Sequence, residues 1–151
     1  MSFVLKDAYV AYSTAASSTG VMTELSPYVK SVALSRSCDA GEDTAMGDNS
    51  RSYVGGGLKA WGASITINQD FAALAPGGLG AIWNCLGSTA VWWQFRPVST
   101  TPCSTNPEHR GYGMIIDDPE LGGTVGDVAT ATIELQGLGD LTRGTTTTTA
   151  A

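Results

Sequence analysis

Covalent or metal chemistry needs a nucleophile, a base or a ligand set brought to one point, and few residues here have the type for it. The single histidine, His109, lies between Pro107 and Arg110, in a stretch punctuated by Pro102 and Pro107. As a general base it needs a partner to orient it. No sequence neighbour supplies one, so a surface histidine is expected. Cys38, Cys85 and Cys103 form no C-x-x-C pair, whereas a zinc site takes about four ligands at close spacing. Cys85 falls in an apolar run and suits a small buried hydrophobe. Asp39, Glu42 and Asp43 offer the oxygens calcium prefers but lack the D-x-[DN]-x-[DN]-G spacing, so a solvated acidic loop is the better reading. Asp117 and Asp118 are adjacent. In extended chain they point apart, while cooperating carboxylates must converge, so a turn is expected there. Neither G-x-S-x-G nor a P-loop is present. The expectation is no enzyme, no metal and no cofactor.

The charge balance narrows the partners. Eight Lys and Arg stand against 14 Asp and Glu, a net charge of −6 over 151 residues. Holding nucleic acid by its phosphates needs clustered cations, which argues against a DNA-binding protein but not against a surface that DNA slides past. Charged residues make up only 15% of the chain, against about 25% in typical domains. Such a surface suits burial against other subunits and also occurs in extracellular β-proteins. No apolar run reaches the ~18 residues of a membrane span. The segment Met1–Asp7 lacks a signal-peptide pattern, so synthesis in the cytoplasm with reduced thiols is expected.

The elements organise around residues 61–98. Ala63-Ser-Ile-Thr-Ile-Asn-Gln69 alternates with the period of two that marks a half-buried strand. Pro76-Gly77-Gly78 breaks the chain, and Pro76 and Gly87 suit the two ends of a short helix over 76–86. Leu79, Ile82, Trp83 and Leu86 then form one apolar stripe. Ala90–Arg96 is aromatic and alternating, with Trp92 and Trp93 on opposite faces. One of the two belongs in the core. The other is exposed or covered by a partner, where stacking on a carbohydrate is an alternative use.

Further strands are expected at Ala8–Ser13, Tyr28–Arg36, Arg110–Ile116 and Val128–Gln136. In the last, Ala129, Ala131, Ile133 and Leu135 face one way and Thr130, Thr132, Glu134 and Gln136 the other. Gly137-Leu-Gly139 is expected to break it. Between Ser37 and Ser52 the pattern stops; a loop of roughly 16 residues is long for a compact domain and usually functional. Gly55-Gly56-Gly57 marks a bend, a bulge or a close backbone approach. About seven short strands with Gly and Pro turns predict a mainly β fold, a two-sheet antiparallel β-sandwich or barrel with one short flanking α-helix. Residues 1–144 form a single domain, and 145–151 a Thr-rich tail of low complexity.

Three stretches carry a resemblance: Leu25–Arg36 with its acidic loop and Thr44–Asp48, Gly57–Phe71, and Val125–Thr130. Together they resemble the tail tube (major tail) proteins of long-tailed bacteriophages, over roughly residues 24–140. The resemblance implies two antiparallel sheets flanked by one helix. It implies rings of six stacked into a tube, a virion tail location after synthesis in the host cytoplasm, and no membrane insertion. The implied partners are copies of the chain, a tape-measure protein, tail terminator and distal tail proteins, and genomic DNA passing without sequence-specific binding. The polar faces Ser64, Thr66, Asn68 and Thr130, Thr132, Glu134, Gln136 carry no Lys or Arg, as a DNA conduit requires, and are the candidate lumen. The loop over 37–52, with Asp39, Glu42, Asp43, Met46, Asp48 and Arg51, is the candidate arm between subunits. The alternative is a tail terminator, a minor tail protein or a glycan-binding virion β-sandwich.

Overall fold

The computed structural model describes residues 6–14, 22–69, 82–89, 91–118 and 123–145. Nine strands are formed there: β1 (Tyr9–Ser13), β2 (Thr23–Glu24), β3 (Val29–Cys38), β4 (Gly41–Glu42), β5 (Tyr53–Val54), β6 (Lys59–Asn68), β7 (Trp92–Arg96), β8 (Glu108–Asp117) and β9 (Thr130–Gly144). Seven make one antiparallel sheet in the order β2-β1-β7-β8-β9-β6-β3, and β4 and β5 make a separate ribbon. The two antiparallel sheets are therefore very unequal, and the large one is not a closed barrel.

The large sheet must nevertheless curl. Its edge strands β2 and β3 are joined by residues 25–28 alone, including a 3-10 turn at Ser26–Tyr28. Glu24 and Val29 thus lie at most ~18 Å apart, whereas seven flat strands would hold their edges ~29 Å apart. Leu25 N–H donates to the Val10 carbonyl at 2.8 Å, tying the crossing to β1.

The concave face holds one apolar cluster, with Val10, Trp61, Ile65, Trp93, Phe95, Ile133 and Leu135 among its members. The period of two explains β6, where Trp61, Ala63, Ile65 and Ile67 are buried and the residues between them are not. On β8 the core face is instead the small one, Gly111 and Gly113 with Ile115. The Trp61 indole fills the space a side chain would take. A Cβ at Gly113 would sit 3.0 Å from its Cη2, and one at Gly137 would collide with the ring. Trp93 is the core member of its pair, donating Nε1–H to the Gly113 carbonyl at 3.2 Å. Trp92 packs edge-on against Tyr112, centroids 4.7 Å apart.

Four expectations need correcting. No full helix stands among the described residues: besides the 3-10 turn at Ser26–Tyr28 only Ile82 and Trp83 are helical. Of the helix expected over 76–86, residues 76–81 lie outside the described residues. Residues 82–88 form successive i→i+3 turns, Cys85 N–H to Ile82 carbonyl and Ser88 N–H to Cys85 carbonyl. That spacing stacks Ile82 over Cys85. These two are buried, while Trp83 and Leu86 are exposed, so the four-residue stripe does not form; its Leu79 lies outside the described residues. Gly137–Gly139 does not end β9. The strand continues to Gly144, and its pairing with β8 jumps from Tyr112↔Leu138 to Arg110↔Thr142, so the glycines mark a bulge. His109 lies in β8 opposite Phe95 and Arg143, not in a loop. Asp117 closes β8, exposed, rather than opening a turn. Of the Thr-rich tail, only Thr145 is described.

Candidate functional site

The seven candidate lumen residues come together on the convex face of β6 and β9. Antiparallel register sets Asn68 opposite Thr130, Thr66 opposite Thr132, Ser64 opposite Glu134 and Gly62 opposite Gln136. Two rungs close through side chains: Ser64 Oγ donates to Glu134 Oε1 at 2.9 Å, and the Thr66 and Thr132 hydroxyls lie 3.0 Å apart. β3 extends the rungs with Ser31 beside Thr66, Ala33 beside Ser64 and Ser35 beside Gly62. Short hydroxyl side chains bonded to one another make a low, polar surface without a cation on β6 or β9 between Trp61 and Asn68 or between Thr130 and Gln136.

The segment over 37–52 is a hairpin, not a structureless loop. β4 and β5 pair Gly41 with Val54 and Glu42 with Tyr53. Asp43 N–H donates to the Ser52 carbonyl at 2.8 Å, Ser52 N–H donates to Thr44 Oγ1 at 3.0 Å, and Asp48 Oδ2 accepts from Ala45 N–H at 2.8 Å. At the root, Gly57 lets the two chains close up, because a Cβ there would strike the Asp39 backbone. Every residue from Ser35 to Ala60 is exposed, Met46 completely so. Asp39, Glu42, Asp43, Met46, Asp48 and Arg51 all lie on this arm, Arg51 Nε standing 3.9 Å from Glu42 Oε1. A lone two-stranded ribbon is marginal in water, and this one is held by its own hydrogen bonds alone among the described residues.

Two charge clusters were not legible from sequence. At the arm's root, Asp140 receives Arg36 at 2.9 Å and Lys59 at 3.8 Å. Its carboxyl is held below its ordinary pKa: desolvation opposes this, and the Arg36 hydrogen bond, the Leu141 N–H and the two cations prevail. Nearby His109 is pushed down by burial, then by the charges of Arg143 and Arg36, and is neutral at neutral pH. Arg36 and Asp140 are 104 positions apart, so only the β3-β6-β9 topology brings them together. In the second cluster, buried Glu108 sits 3.7 Å from Arg96 Nε and 3.3 Å from Arg110 Nη1, and Arg96 stacks on Tyr9 at 3.8 Å. One carboxylate thus offsets one of the two arginine charges where the convex face passes into β7 and β8. The signal available in sequence was the even spacing of Glu108 and Arg110 on one strand face.

Exposed apolar side chains gather outside the core at Trp83, Leu86 and Ile116, joined through the Leu86–Ile115 bridge. A cleft of about 290 Å³ lies at the seam between the sheet edges, walled by Lys6, Asp7, Glu24, Val29 and Lys30. Among the described residues no group of three His, Cys, Asp or Glu is placed to hold a metal ion. Cys85 is buried, and Cys38 and Cys103 are exposed free thiols.

No protein-family model matches this chain, and no curated protein sequence matches it significantly. Solved structures do. A subunit in the virion of a native gene transfer agent particle superposes with a TM-score of 0.68 at 13% identity, over 94% of this chain and 98% of that one. The tail of the empty gene transfer agent particle, refined helically with C6 symmetry, gives 0.68 at 14%, over 93% and 98%. The SPP1 tail tube, determined by solid-state NMR and cryo-EM, gives 0.70 at 15%, over 92% and 77%. At these identities the likeness is one of fold, and the chain has the tail tube fold.

Proposed function

We propose that this chain is a tail tube subunit: copies close into rings, six to a ring, and the rings stack into the tube of a virion tail. The observation that carries the reading is the hairpin arm, ordered by its own hydrogen bonds yet exposed from Ser35 to Ala60. A segment of that kind completes its burial on another copy. The edges β2 and β3, unpaired on their outer sides among the described residues, point the same way, since unpaired edges invite pairing with a neighbour, and the fold likeness is to proteins from such particles.

In this reading the rungs Ser64–Glu134 and Thr66–Thr132 line the bore. Phosphates meet hydroxyls and carboxylates there, so DNA passes without being held. The tube houses a tape-measure protein before delivery, and terminator and distal tail proteins close its ends. The subunit is made in the host cytoplasm and has no catalytic role. A terminator would use the same edges but stop at a single ring. The glycan-binding alternative has a poor platform, because Trp92 is half-buried and packed against Tyr112.

Sedimentation velocity across a concentration series, with negative-stain imaging of each fraction, tests the proposal. Rings that stack into tubes of uniform width are expected. Monomer persisting to millimolar concentration, with no ring under any condition, overturns it; single rings that never stack favour the terminator.

A further inference from the structure

Resting on that reading, the arm needs a receptor, and charge complementarity selects one. The arm beyond its root, from Gly41 to Val54, carries Glu42, Asp43 and Asp48 against Arg51, a net of −2 (three acids, one base). The described surface offers a match where Arg36 and Lys59 flank Asp140 and Arg143, opposite His109, acts together with Arg36 on that imidazole, a net of +2 over Arg36, Lys59, Arg143 and Asp140 (three bases, one acid). These side chains stand near the ends of β3 and β9 and at the start of β6, and Arg36, Lys59 and Arg143 are all exposed. In a chain of net charge −6, an unneutralised basic patch is a local exception. Asp140 satisfies only part of it, and Glu108 is committed to Arg96 and Arg110.

Within one subunit the arm does not serve this patch: Asp39 N–H bonds the Leu58 carbonyl, Gly41–Glu42 pair with Tyr53–Val54, and among the described residues no ion pair joins Glu42, Asp43 or Asp48 to Arg36, Lys59 or Arg143. Tip and patch are also different surfaces. Passed on from copy to copy, such a contact builds rings or open stacks, whereas reciprocal exchange between two copies would close a two-fold pair. We infer that the basic patch made by Arg36 and Lys59 at Asp140, with Arg143 beside His109, is the docking site for the acidic arm tip of a second copy of this chain. The seam cleft is a weaker receptor, because Lys6 and Lys30 are offset there by Asp7 and Glu24.

Photo-crosslinking from the arm tip tests this. A benzophenone amino acid replaces Ala45 in the full-length chain, and intermolecular crosslinks are mapped by mass spectrometry. They are expected on peptides spanning Arg36, Lys59 and Asp140–Arg143. Lys59→Glu with Arg143→Glu lowers the yield about tenfold, as a pair of surface attractions turned repulsive should. Adding Asp43→Lys and Asp48→Lys restores it. All four positions are exposed, and an unchanged unfolding curve of each monomer confirms that folding is intact. Crosslinks that map elsewhere, that fail to form, or that ignore both charge reversals overturn the inference. Tubes that form while crosslinks map elsewhere leave the tube reading standing, whereas crosslinks on the patch in a species that never closes into rings would uphold the docking and sink the tube.

Discussion

At the scale of single residues, the account rests on close contacts that sequence patterning does not display. Trp61 is legible as a core side chain from the alternation of β6. Its lodging against Gly111, Gly113 and Gly137 is not, because those glycines come from two other strands and look like breakers in their own. Gly137→Ala puts a methyl into the indole ring and should lower the unfolding free energy of the monomer by about 1–3 kcal/mol, read from chemical denaturation. Tyr12 gives a second prediction. Burial, with Cys85 nearby, pushes its pKa up from 10.0 to about 12. The unfolded chain therefore loses this proton at lower pH than the folded one. The stabilisation is fully present below pH 10 and lost as pH rises toward 12, a contribution of about 3 kcal/mol at most. Tyr12→Phe should flatten that alkaline limb of a stability–pH profile.

At the scale of elements, β6 and the first half of β9 were legible because each buries one face and wets the other. The helix was the weakest reading. Leu79, Ile82, Trp83 and Leu86 fit a 3.6-residue period on paper, but the i→i+3 turns at 82–88 put Ile82 with Cys85 and turn Trp83 and Leu86 outward. The exposure of the acidic segment over 37–52 was legible from its lack of apolar period, while its ribbon was hidden because β4 and β5 are two residues each. Replacing residues 41–54 by a short Gly-Ser turn removes no buried side chain. It should leave monomer stability within about 0.5 kcal/mol while abolishing rings and tubes, as judged by denaturation and negative stain on the same preparation. A large loss of monomer stability would show that the arm serves its own subunit.

At the scale of the whole molecule, the fold class followed from strand count and turn chemistry. The curled single sheet did not, because it depends on a four-residue crossing between two edge strands, β2 and β3, whose own partners β1 and β6 lie at opposite sides of the sheet. Low charge, edge strands unpaired among the described residues and a bare hairpin are the features on which the proposed assembly rests. A wall without cations has a consequence of its own. Tubes of Thr66→Lys or Thr132→Lys should retain a fluorescent DNA duplex about tenfold better than the parent at low salt, with the excess vanishing as salt rises. Equal retention would mean that this face lies outside the bore. The most direct measurement is a cryo-EM map of the assembled protein, resolved well enough to assign side chains. The account predicts stacked rings whose bore is lined by Ser64, Thr66, Thr132 and Glu134. A bore crowded with Lys and Arg, or particles that are only isolated monomers, would contradict it.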